Sequence, residues 1–142
     1  MTATTPELQY VIGDFCLRRQ FTPKLLEPIR RFTEAWLAFW QLSELADPCL
    51  SIVTELCANV RHTPDRYFEL TMSVQAGYLR MNVRDHSPIL PDVPHELSDP
   101  DATSGRGLYV VARYADRVGV DRLADGKEVW AEIALQERVD AA

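Results

Sequence analysis

Apolar residues recur along this chain with two periods, and the change between them divides it. Between residues 25 and 40 the period is helical. Leu25, Ile29, Phe32, Trp36 and Trp40 stand three or four apart and form one stripe. Thr22 can cap that helix, and Pro23 suits its first position. Asp47 and Pro48 repeat the start signal for a second helix running to about His62, with Cys49, Ile52, Val53, Leu56, Cys57 and Val60 on its apolar face. The period then drops to two. Phe68, Leu70, Met72 and Val74 face one way, while Tyr67, Glu69, Thr71 and Ser73 face the other. Gly77 marks a turn, and Leu79, Met81 and Val83 carry the inward face of the next strand. Further on, Leu108, Val111, Ala112 and Ala115 predict a short third helix. A hairpin follows: a strand over 118–122, a turn at Ala124-Asp125-Gly126 and a strand over 128–135. Residues 8–19 read as one further strand. Hairpin-linked strands with helices set apart predict an α+β fold, an antiparallel-rich sheet with helices on one face.

Composition narrows the class. At 142 residues, with 46% hydrophobic and 25% charged side chains, the chain is sized for one domain with a real core. No window approaches 18 uninterrupted apolar residues, so no membrane span is expected. Residues 1–10 lack a basic region followed by an apolar run, so no secretory signal is expected and a cytoplasmic location is the default. A net charge of −6 disfavours direct nucleic-acid coating, which needs many cations against the phosphates. Cys16, Cys49 and Cys57 lack a zinc-like spacing and read as buried thiols. One segment stands apart: 86–104 holds four of the nine prolines and four acidic residues (Asp92, Glu96, Asp99, Asp101), with no Lys or Arg. A loop of that length in a compact domain is usually a lid or a binding loop, or is disordered.

Three constellations could carry chemistry. On the second helix Glu55, Asn59 and His62 stand at i, i+4 and i+7, within about 60° of one another on a regular α-helix. The carboxamide can ligate a hard cation such as Mg²⁺, and the carboxylate can act as a general base. The competing reading is a solvated helix face. Asp85 continues the inward parity of Met81 and Val83, so its carboxylate must find a donor. The exocyclic amine of a bound base is one candidate, and capping of the following turn is the other. Ser104-Gly105-Arg106-Gly107-Leu108 opens the third helix, where backbone N–H groups and the helix dipole favour an anion and Arg106 adds a phosphate-reading side chain. Its plainer reading is a hinge that ends the loop. Trp36, Phe39 and Trp40 read as core or as a partner-facing patch.

Taken in order, Glu55-Leu-Cys-Ala-Asn59-Val-Arg-His62, Val83-Arg-Asp85-His-Ser-Pro88, Ser104-Gly105-Arg106-Gly107-Leu108 and Gly126-Lys127-Glu128-Val129-Trp130 resemble the GHKL (Bergerat-fold) ATPases. More narrowly they resemble the short, stand-alone anti-sigma-factor serine/threonine kinases, over about residues 8–136. The resemblance implies a two-layer α/β sandwich with a mostly antiparallel mixed sheet and a single domain over 1–142, with 86–104 as an ATP lid whose acidic groups point outward. It implies that Asn59 holds Mg²⁺ and that Glu55 is the base for the attacking protein hydroxyl. Asp85 would bind the adenine amino group, Gly105, Arg106, Gly107 and Leu108 would cradle the phosphates, and His62 would lie near them.

ATP and Mg²⁺ are the implied cofactors. A sigma factor and a STAS-type anti-anti-sigma protein are the implied partners, and a homodimer is compatible with the aromatic-rich first helix. One departure is plain: the wider family has Asp-x-Gly-x-Gly, where this chain reads Asp85-His86-Ser87-Pro88-Ile89. The runner-up is therefore a non-catalytic module with a vestigial pocket, acting by protein–protein binding. A detached sensor-kinase catalytic domain is disfavoured, because residues 23–41 contain no histidine to accept phosphate.

Overall fold

The computed structural model describes residues 9–11, 14–91 and 106–135. Strands β1 (Gln9–Val11), β2 (Asp14–Gln20), β3 (Tyr67–Gln75), β4 (Tyr78–Asp85), β5 (Arg117–Leu123) and β6 (Gly126–Ala134) form one sheet in the order β1-β2-β3-β4-β6-β5. Among the described residues every pairing in it is antiparallel, in line with the expected mostly antiparallel sheet. Helices α1 (Leu26–Phe39), α2 (Ala46–Ala58) and α3 (Arg106–Tyr114) complete the α+β fold. Helix α2 lies on β3, β4 and β6, α3 on β5, β6 and α2, and α1 against α2.

The inner face of the sheet follows from strand parity. Register places Leu70 beside Val83, Met72 beside Met81, and Val74 beside Leu79. Val83, Met81 and Leu79 in turn face Val129, Ala131 and Ile133. All but the partly buried Val74 are buried in one core with Ile52, Val53, Leu56, Cys57 and Val60 of the second helical segment. Burying side chains of this size stabilises the fold by about 1.5–3 kcal/mol each. Ala76 and Gly77 both take positive φ (54° and 81°), so the β3–β4 hairpin turns in two residues whose twist matches its strands. The outer face is polar. Glu132 binds Arg80 and Arg117, Asn82 donates to Glu128, and Arg80 lies over the Trp130 ring.

Several sequence expectations are corrected. The described residues of the 8–19 segment fall in two strands, β1 and β2. Thr22 makes no side-chain cap: Pro23–Leu25 form a 3-10 turn before α1, and the Leu25 N–H donates to the Thr22 carbonyl (2.9 Å). A similar turn, Ser43–Leu45, precedes α2, which therefore begins at Ala46. Helix α2 ends at Ala58 and tightens into a 3-10 turn over Asn59–His62. Gly126 is already in β6, so the last turn is Ala124-Asp125 alone. On α1, Leu37 is fully buried, Trp36 and Trp40 are half-buried, and Phe39 is 72% exposed. No helix among the described residues is long and apolar enough to cross a membrane.

Candidate functional site

Topology gathers most of the singled-out residues at one end of the sheet. Asp85 closes β4 there, opposite Lys127 at the start of β6. The first residue of β3, Tyr67, belongs to the same end, because β3 and β4 are antiparallel neighbours. Helix α2 reaches it through the 3-10 turn and four connecting residues, which are well pinned. The Thr63 hydroxyl donates to the Val60 carbonyl (2.7 Å), the Phe21 N–H to the Arg66 carbonyl (2.6 Å), and the Gln20 amide to the Asp65 carbonyl (3.1 Å). Helix α3 hands over to β5 at the opposite end, where the Asp116 N–H donates to the Glu132 carbonyl (2.8 Å). Nine helical residues then reach about 13 Å back from there.

The 3-10 turn alters the ridge on α2. Successive residues of such a turn rotate by about 120°, so residues three apart eclipse. His62 therefore follows Asn59 in line, and the three positions lie within about 40° rather than the 60° of a regular helix. Glu55 is half-buried, and Asn59 and His62 are exposed. Leu56 and Cys57 beside them are buried, which fixes the face Glu55 can occupy. Burial pushes the Cys57 thiol far up, which keeps it an inert core group.

Asp85 is built differently. It is 3% exposed. Its Oδ1 accepts the Ser87 N–H (2.8 Å) and the Lys127 ammonium (3.0 Å), and its Oδ2 lies 2.9 Å from the same ammonium. Both donors come from the protein, so the carboxylate does not depend on a ligand for its partners. The turn-capping reading of Asp85 holds, and Lys127 is the residue that sequence reasoning missed. Its signal was parity: Lys127 shares the inward phase of Val129, Ala131 and Ile133.

The turn after Asp85 also explains the missing glycines. Asp85 Oδ1 caps the Ser87 N–H, and the Ile89 N–H donates to Ser87 Oγ (3.2 Å). No described residue from 86 to 91 takes a positive φ. Two side-chain turns, an Asx-turn and then an ST-turn, direct the backbone here without glycine's left-handed freedom. Just outside, His86 Nδ1 meets Asp65 Oδ2 at 2.7 Å, and the His86 ring stacks on Tyr67 at 4.6 Å between centroids. The hydrogen bond to Asp65 raises the His86 pKa, and the same bond holds the Asp65 carboxyl below its usual value. Asp65 also receives the Tyr67 N–H (3.0 Å).

The remaining site residues divide. Leu108 is fully buried and anchors α3 in the core. Arg106 and Gly107 occupy the first turn of α3. Gly105 and the acidic residues Asp92, Glu96, Asp99 and Asp101 lie outside the described residues. Among the described residues, Glu55 and Asn59 make no side-chain hydrogen bond or ion pair, and no cluster of three His, Cys, Asp or Glu is placed to hold a metal. A carboxamide oxygen with no protein partner suits Mg²⁺, which keeps several waters and is commonly shared between one or two protein groups and substrate phosphates.

The histidine kinase-like ATPase domain matches the chain over residues 20–133. The chain belongs to this family. The matched region runs from the end of β2 into β6 and so contains Glu55, Asn59, His62, Asp85 and the 105–108 segment. The antiparallel sheet with helices on one face agrees with that membership, and the family supports ATP binding and an ATPase- or kinase-type role. No curated protein matches the chain.

Proposed function

We propose that the protein is an ATP- and Mg²⁺-dependent protein serine/threonine kinase of the anti-sigma type, which holds a sigma factor in check and phosphorylates a STAS-type partner. The family match supports the nucleotide. The observation that carries the catalytic part is a pair of side chains, Glu55 and Asn59, one helical turn apart beside a buried core and without a side-chain partner among the described residues. Asn59 would hold Mg²⁺ through its carboxamide oxygen, and the bound cation would neutralise charge on the phosphates. Glu55 accepts the proton of the attacking serine or threonine hydroxyl. The new oxygen–phosphorus bond forms as the bond to the β–γ bridging oxygen breaks, and ADP leaves with that electron pair. Asp85 reads the base, and the start of α3, with Gly105, Arg106 and Gly107, receives the phosphates.

A titration with ATP, with and without Mg²⁺, tests the binding step. Wild type binds only with the metal, and Asn59→Ala loses that binding. Unchanged affinity in the variant would sink the assignment of Asn59. Labelled phosphate transfer to a STAS protein that depends on Glu55 supports the kinase. Asp85 holds protein donors without any ligand, which favours the alternative, a regulatory module that binds its partner without transfer, and tight partner binding with no labelled product would select it.

A further inference from the structure

Twelve positions of β3, β4 and β6 face the helices, and ten of them are apolar. The two charged ones, Asp85 and Lys127, are directly opposite in register at one end. Gly126 brings them there. A Cβ on it would fall 1.9 Å from the Asp85 carbonyl oxygen, so β6 starts flush against the end of β4 only because residue 126 has no side chain. A carboxylate and an ammonium buried to this depth are each costly unless paired, and here each is the other's partner.

The pairing leaves a definite remainder. An ionised carboxylate has about four acceptor sites, two on each oxygen. Oδ1 is filled by the Ser87 N–H and by Lys127, while among the described residues Oδ2 receives Lys127 alone. One acceptor site therefore remains, on Oδ2, and the Asp85 side chain keeps a 5% exposed edge.

We infer that Lys127 is a positioning residue for nucleobase recognition. By fixing the Asp85 carboxylate it leaves a single acceptor, which suits a base presenting one exocyclic amino group with an acceptor nitrogen beside it. A guanine edge, with two adjacent N–H donors, asks for two. The inference rests on the reading that Asp85 lines the nucleotide site.

The test uses the full chain, with Mg²⁺ present, titrated with ATP, purine riboside triphosphate (which lacks the amino group) and GTP. Wild type prefers ATP to both by about tenfold, the value of one hydrogen bond to a charged acceptor. Lys127→Met reduces that preference to within about twofold, and Lys127→Arg restores most of it. If Lys127 served stability alone, Lys127→Met would weaken all three triphosphates equally and leave the ratios unchanged, and that result overturns the inference. Because Lys127→Met strands a buried carboxylate and can fail to fold, a measurement on wild type stands beside it. The lysine ammonium resonance of residue 127 stays protected when ATP binds. Its loss on binding would mean that the pair opens, which equally overturns the inference. Absence of affinity for any triphosphate in wild type removes the nucleotide reading itself, before any variant is made.

Discussion

Asp85 and Asn59 lie toward the same end of the sheet but are built in opposite ways. Asp85 is buried and held by three contacts from Ser87 and Lys127. Asn59 is exposed at the end of α2, and among the described residues its side chain has no partner. The difference follows from desolvation. A buried carboxylate must be satisfied in the free protein, since otherwise the fold carries its cost, whereas an exposed carboxamide is satisfied by water and can exchange that water for a ligand. One half of the candidate site is thus fixed during folding, and the other is left open to be completed by binding.

The comparison breaks most strongly at Asp85. Asp85→Ala strands the Lys127 ammonium at 8% exposure and should destabilise the protein by about 3–5 kcal/mol in urea unfolding. A loss below about 1 kcal/mol would mean that water reaches the lysine and that the corner is not dry. Gly126→Ala comes next. The new methyl cannot fit against the Asp85 carbonyl, so β6 must shift outward, at about 1–3 kcal/mol. That shift also draws Lys127 away from Asp85. Stability should therefore fall less in Gly126→Ala made on an Asp85→Ala background than in wild type, and strict additivity would show the two effects to be separate.

Asn59→Ala supplies the contrast. Stability should change by no more than about 0.5 kcal/mol, because the side chain is exposed and has no partner among the described residues, while Mg²⁺-dependent nucleotide binding is lost. A large stability loss would place Asn59 with Asp85, as a group the fold needs.

What the sequence made legible follows the same division. The apolar face of α2 and the inward parity of β3 and β4 were readable because periodicity is local: Ile52, Leu56, Phe68 and Met81 each announce themselves within a few neighbours. The inward phase of Lys127 was readable in the same way. Its partner was not, because 42 residues separate Lys127 from Asp85 and only the β4–β6 register joins them. The 3-10 turn at Asn59–His62 was equally invisible, since a helical period does not reveal where a helix tightens. At Thr22 the cap chemistry was present, but Pro23–Leu25 took a tighter turn and the hydroxyl found no use there.

The smallest effect sits between the two halves of the site, where Asp65 of the loop after α2 meets His86 at the root of the segment that follows β4. The raised His86 pKa means that the folded state holds the imidazole proton more tightly than the unfolded chain. That stabilisation is full below the ordinary imidazole value of 6.5 and is lost as pH rises through the raised one. The depressed Asp65 carboxyl acts with the opposite sign: its contribution is full above the ordinary 3.8 and is lost as pH falls through the lowered value. The pair therefore contributes fully only between 3.8 and 6.5. Both side chains are exposed to solvent, so salt should weaken the effect. Melting temperatures of wild type and His86→Gln, compared across pH, should differ most inside that window and converge above it. Groups that titrate equally in both proteins cancel in the difference. A gap that stays constant from pH 5 to pH 9 would show that the Tyr67 stack, and not the charge on His86, holds this corner.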